Sequence, residues 1–114
     1  MTACLFCQIA AHNLPADVLY QDEQITAFRD IHPKAPVHIL IIPNHHIPSV
    51  NEIQPEDEPI IGRMFTLARQ LAEQEGIKES GYRLVVNTGP HGGQTVFHLH
   101  IHLLGKRHLG WPPG

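Results

Sequence analysis

Ten of the 114 residues are histidine, and three of them alternate in one run, His98-Leu99-His100-Ile101-His102, followed by Leu103 and Leu104. Alternate side chains of an extended strand share a face. The pattern therefore predicts three imidazoles on one side of a strand and Leu99, Ile101 and Leu103 on the other. Each ring carries a donor and an acceptor that need partners if buried, so a row of three is a poor choice for packing and points to chemistry. Two chemistries fit. His-x-His on a strand supplies two metal ligands. Alternatively, a ring with the ordinary pKa of about 6.5 is substantially neutral at pH 7 and attacks phosphorus, giving a phosphoryl-imidazole that water then cleaves. Gly92-Gly93-Gln94-Thr95 runs straight into the triplet. Glycines let backbone N–H groups approach a phosphate, and the Thr95 hydroxyl adds a donor, which favours the nucleophilic reading.

These residues need a frame. Leu5, Phe6, Ile9 and Ala10 recur at helical spacing and predict a short helix over 5–12, ending near Asn13-Leu14-Pro15. Val18 to Gln21 and Gln24 to Arg29 flank Asp22-Glu23 and read as a hairpin. Residues 30–36 carry too much proline for regular structure. Val37 to Ile42 reads as a buried strand stopped by Pro43. One long helix follows. Pro55 and Pro59 suit only its first turn, and Glu56, Asp57 and Glu58 suit the positive end of its dipole. Ile60, Ile61, Met64, Phe65, Ala68, Leu71 and Ala72 supply its apolar face, and Gly76 its C-terminal cap. Tyr82 to Asn87 reads as a strand, Thr88 to Gln94 as a glycine-containing loop, and Thr95 to Leu104 as the last strand. The sum is a single α+β domain over residues 1–114, an antiparallel sheet of about five strands with one long and one short helix.

Composition narrows the function. Hydrophobic residues make up 42% and charged residues 17%, a globular balance. The formal net charge of −3, with no basic stripe, argues against DNA or RNA as partner but admits a mononucleotide. No segment approaches the roughly 20 apolar residues of a membrane helix, and the N-terminus carries no secretory pattern. The expectation is a cytoplasmic protein without a membrane partner.

The motif His-φ-His-φ-His-φ-φ preceded by Gly-Gly-Gln resembles the signature of the histidine triad superfamily. Phe28-Arg29-Asp30-Ile31, then Pro33-Lys34-Ala35-Pro36-Val37-His38, is similar to that family's nucleotide-side segment. Tyr82 to Asn87 is similar to its next strand, and Trp111-Pro112-Pro113-Gly114 to the tail of its nucleotide-binding protein branch. The resemblance implies a histidine triad fold, a homodimer, and hydrolysis of purine nucleoside 5'-monophosphoramidates, adenosine preferred, through a covalent nucleotidyl-histidine intermediate. It also implies AMP and GMP as ligands and no cofactor required for catalysis.

Residue by residue, the resemblance makes His100 the nucleophile and His102 a phosphate contact, with His98 as the first of the triad and His38 nearby in the catalytic set. Asn87, Gly93, Gln94 and Thr95 fall on the phosphate side, with Thr95 where serine is more usual. Asp30 would accept from the ribose hydroxyls, and Leu5, Phe6, Ile9, Phe28 and Ile31 would form the base slot. Trp111 would reach toward a partner subunit's site. Each has a plainer reading: Asp30 and Asn87 as turn residues, His38 as a satisfied core ring, Phe6 and Phe28 as core, Trp111 as tail packing.

Cys4-x-x-Cys7 is a weak signal alone, since zinc needs two more ligands. By resemblance these would be His46 and His98, making a structural Cys2His2 site; the plain reading is two thiols buried in a short helix. Dinucleoside polyphosphate hydrolysis remains an alternative, as does a zinc-stabilised nucleotide-binding or scaffold protein. Nucleotidyl transfer is disfavoured, because the transferase branch is similar to a triad with glutamine in the third position and His102 is intact.

Overall fold

A computed structural model of the chain describes residues 4–114. Its elements in order are α1 (Leu5–Ala10), β1 (Val18–Gln21), β2 (Ile25–Arg29), β3 (Val37–Pro43), α2 (Glu58–Gln74), β4 (Tyr82–Val85), α3 (Gly89–Gly92) and β5 (Ile101–Gly105). The five strands form one antiparallel sheet in the order β1-β2-β3-β5-β4. The expected α+β architecture is present, with one long helix and short ones.

Strand periodicity divides the molecule. From the central strand β3, Val37, Ile39 and Ile41 point into a core shared with Ile25 and Ala27 of β2, Ile101 and Leu103 of β5, and Met64, Leu67, Ala68, Leu71 and Ala72 of α2. Leu40 and Ile42 point the other way, toward Phe6 and Ile9 of α1 and Phe28 of β2. Because β3 is covered on both faces, it reads as an unbroken apolar run interrupted only by His38.

The long helix begins behind two 3-10 turns, Val50–Glu52 and Pro55–Asp57, and carries Pro59 in its first turn. The Asp57 carboxylate accepts from the Gln54 N–H at 2.9 Å. Gly76 closes the helix in the left-handed conformation (φ 74°), which lets the Ile77 N–H reach the Ala72 carbonyl. One expectation on α2 fails. Phe65 is exposed, and Leu67 takes the buried place, because the inward stripe runs 64, 67, 68, 71, 72 and position 65 lies at its margin, about 90° from its centre, where only the small Ala72 is buried.

Several boundaries also differ. Helix α1 stops at Ala10, and β4 at Val85. The predicted loop over 88–94 contains the single turn α3. The last strand starts at Ile101 rather than Thr95. The chain bends at 96–98, and the Leu99 N–H bonds to Ile47 O at 2.6 Å instead of joining the ladder. No helix among the described residues is long and apolar enough to cross a membrane.

Candidate active site

On the α1 side of the sheet lies a cleft of about 670 Å³. Its apolar end is made by Leu5, Phe6, Ile9, Leu14, Pro15, Ala16, Phe28, Ile31 and Leu40. Its polar end is made by Asp30, His38, Asn87, Thr95 and His102. Sequence periodicity explains the mixture. The strand positions that alternate away from α2 are His38 and Leu40 on β3, His102 and Leu104 on β5, and Val85 on β4. They face the cleft, and α1 supplies its wall.

His100 sits against this polar end, buried, with its ring centroid 4.8 Å from that of His102 and 5.1 Å from that of Phe6, edge-on. Its Nδ1 lies 2.7 Å from the His98 carbonyl. A carbonyl only accepts, so Nδ1 carries the proton and the lone pair of the neutral ring is on Nε2. A second chain of bonds fixes the other rings. The Lys34 backbone N–H donates to His38 Nδ1 at 3.0 Å, so the neutral His38 ring holds its proton on Nε2. That nitrogen is 2.9 Å from His102 Nδ1 and donates to it. The His102 proton is thereby on Nε2, a buried atom with no hydrogen-bond partner. Asp30 stands 3.5 Å from His38 Nε2. The site presents a lone pair on one ring and an unanswered N–H on the next, which suits an electrophilic phosphorus and one of its oxygens.

Burial keeps these rings uncharged. It lowers His38 and His100 below the ordinary imidazole value and pushes His102 down to about 4, with Asp30 opposing the shift in each case. His98, wholly buried, is likewise pushed down to about 4 by burial.

His98 lies on the α1 side of the sheet with its two companions, its ring edge-on to Phe6 with centroids 6.0 Å apart, against 5.1 Å for His100. It precedes β5, where the chain is bent, and its ring turns toward α1. Its Nε2 donates to Pro43 O at 2.7 Å, leaving Nδ1 as the lone-pair nitrogen. That nitrogen is 3.3 Å from Cys4 Sγ, 3.5 Å from Cys7 Sγ and 3.2 Å from His46 Nδ1, while Cys7 Sγ is 3.3 Å from His46 Nδ1. All four donor atoms lie within 4.8 Å of one another. Tetrahedral zinc, with Zn–N of about 2.0 and Zn–S of about 2.3 Å, has donor–donor edges of roughly 3.3–3.8 Å. The donor set and its spacing fit that ion. Asp30, His38 and His102 also bring ligand-type atoms within 4.8 Å. There the facing ring nitrogens share one proton, the geometry of a relay rather than of a chelate.

Several expected contacts sit elsewhere. The Gln94 side chain is buried and fully engaged: Oε1 accepts from Gly89 N–H at 3.0 Å, and Nε2 donates to Pro48 O at 2.8 Å and Val96 O at 3.1 Å. The backbone N–H groups of Gly93 and Gln94 close the α3 turn onto Pro90 O and Gly89 O. Gly93 is needed for its left-handed φ of 80°. Gly93 and Gln94 therefore brace the loop rather than line the cleft. Trp111 is 84% exposed and lies away from the cleft, because Arg83 holds Leu109 O and Gly110 O and directs the tail outward. Leu5 and Ile31 line the cleft while largely exposed. Sequence reasoning missed Leu14, Pro15, Ala16 and Leu40 as wall residues; for Leu40 the signal was its two-residue spacing from His38.

Comparisons agree with this geometry. The HIT domain family model matches residues 11–109. A purine nucleoside phosphoramidase of Escherichia coli K12 is 58% identical over 106 residues, 93% of this chain and 89% of that protein. The crystal structure of a HIT family hydrolase from Legionella pneumophila superposes with a TM-score of 0.96 at 50% identity, covering 97% of this chain and 99% of that one. A histidine triad nucleotide-binding protein from Candida albicans gives a TM-score of 0.83 at 28% identity, covering 96% and 83%. With the HIT domain model matching residues 11–109 and a relative 58% identical over 93% of the chain, the chain belongs to the HIT domain family.

Proposed function

We propose that this protein hydrolyses purine nucleoside 5'-phosphoramidates, with His100 as nucleophile. The observation that carries the reading is the pair of fixed tautomers: a lone pair on His100 Nε2 beside the unpartnered N–H of His102 Nε2. The similarity to the E. coli phosphoramidase supports the substrate class.

The reaction is two displacements. His100 Nε2 forms a bond to the α-phosphorus as the P–N bond breaks, and the departing amine takes up a proton. The His102 N–H donates to a phosphoryl oxygen whose charge grows in the transition state. Water then forms a P–O bond, the Nε2–P bond breaks, and the mononucleotide leaves. His98 serves through its carbonyl, which holds the His100 tautomer, and His38 through its proton to His102. Thr95 and Asn87 are the polar side chains at hand for the phosphate and leaving-group side. Asp30 is the acceptor for ribose hydroxyls, and Leu5, Phe6, Ile9, Phe28 and Ile31 receive the base.

The chain is a cytoplasmic homodimer in this reading, with Trp111 directed at the partner's site. Cys4, Cys7, His46 and His98 would hold a structural zinc that cross-links α1 to the histidine segment and takes no part in the reaction.

The test is AMP release from adenosine 5'-phosphoramidate. Wild type turns over, His100→Ala does not, and a chelator leaves the wild-type rate unchanged at first. A folded wild type that binds AMP without releasing it from the phosphoramidate would make the protein a binding module. About one zinc per chain, lost in Cys7→Ser, supports the metal site; none after metal-replete expression removes it.

A further inference from the structure

Arg107 lies outside the cleft and carries no motif, yet it is two hydrogen bonds from a catalytic ring. We propose that Arg107 is a positioning residue that sets the tautomers of His38 and His102. This rests on the relay proposed above.

The path is short. After β5 the chain turns at Lys106, which adopts a left-handed φ of 69°, and sends Arg107 back toward the start of β3. Arg107 Nε donates to Lys34 O at 3.0 Å, and Nη1 donates to His108 O at 3.1 Å, which holds the guanidinium in place. The Lys34 N–H donates to His38 Nδ1. One residue is thus held at its carbonyl from the C-terminal segment while its amide dictates which His38 nitrogen accepts.

The placement matters because Lys34 lies in the irregular connection over 30–36. Pro33 and Pro36 have no N–H to anchor that connection. An untethered Lys34 amide swings away from His38, and the ring then populates both neutral tautomers. His102 follows it, because the two share one proton across 2.9 Å. With its proton on Nδ1, His102 presents a lone pair to the phosphate instead of an N–H. Arg107 is exposed, so its charge is screened by solvent; its effect comes from holding the loop.

The experiment uses the full chain and Arg107→Ala, with histidine ring tautomers read by 15N NMR at neutral pH and kinetics on adenosine 5'-phosphoramidate. Wild type shows His38 and His102 protonated on Nε2. In Arg107→Ala both rings give averaged signals, kcat falls about tenfold, KM stays within about twofold, and the thermal midpoint barely moves. Conservative Arg107→Lys, which can still donate to Lys34 O, restores part of kcat. In a His38→Ala background Arg107→Ala costs nothing further, since both act through one ring. Wild-type tautomers and kcat retained in Arg107→Ala, or losses that multiply in the double variant, would overturn the role of Arg107. A wild type with the His102 proton on Nδ1 would overturn the relay itself, and this proposal with it.

Discussion

The two faces of the sheet are built by the same strands to opposite ends. Toward α2, Ile39, Ile41, Ile101 and Leu103 meet Met64, Leu71 and Ala72 in an apolar core. Toward α1, the intervening positions carry His38 and His102, whose rings touch each other and a cleft. One face needs shape and volume, and its residues could be exchanged for others of similar size. The other needs specific atoms, because each ring nitrogen is assigned donor or acceptor by its neighbour. The larger apolar core therefore lies on one side of the sheet, and the chemistry on the other, beside a smaller apolar cluster.

That division can be broken in graded ways. The largest effect falls on the cleft face: His100→Ala lowers phosphoramidate turnover by about four orders of magnitude or more, read as AMP release, while a cooperative unfolding transition persists. Turnover within tenfold of wild type would move the nucleophile elsewhere. On the opposite face, Leu71→Ala removes a side chain only 2% exposed and lowers stability by about 3 kcal/mol in urea unfolding, with kcat unchanged in the fraction that stays folded. A matching loss of kcat would show the faces to be coupled.

Gln94→Ala tests the brace between them. It strands Gly89 N–H, Pro48 O and Val96 O and costs about 2 kcal/mol. The loss appears first in faster amide exchange of the 88–96 segment. If instead affinity for AMP falls with stability intact, Gln94 is a ligand contact after all.

The gentlest test is pH. His102 is held near 4 against 6.5 for the ordinary ring, and His38 is lowered in the same direction. The unfolded chain takes up protons first, so stability is level above about pH 6.5 and declines as pH falls from there toward about 4. Urea midpoints measured across that window should show the decline. In His102→Asn it should be shallower, and an unchanged slope would assign the titration to other groups.

Much of this was legible along the chain. The apolar spacing of α2, the unbroken run of β3, Gly76 as cap and the alternation of the histidines are local periodic facts, and periodicity of backbone geometry alone turns them into faces. The grouping of Cys4, Cys7, His46 and His98 was named from family resemblance, and the structure brings those donors together. What sequence did not show for Gln94 is its internal bonding: a glutamine beside glycines reads as a ligand contact, and folding brings its amide to three separate backbone groups.

What sequence determined by itself was the set of elements, the two-faced sheet and the presence of a histidine site. Only tertiary structure decided that the last strand begins at Ile101, that the His98 ring meets the two thiols, and which nitrogen of each ring carries a proton. The reason is distance along the chain. His38 and His102 are 64 residues apart, and His98 and Pro43 are 55 apart. A ring's tautomer is set by whichever partner folding brings to it, and spacing in sequence carries no record of that partner.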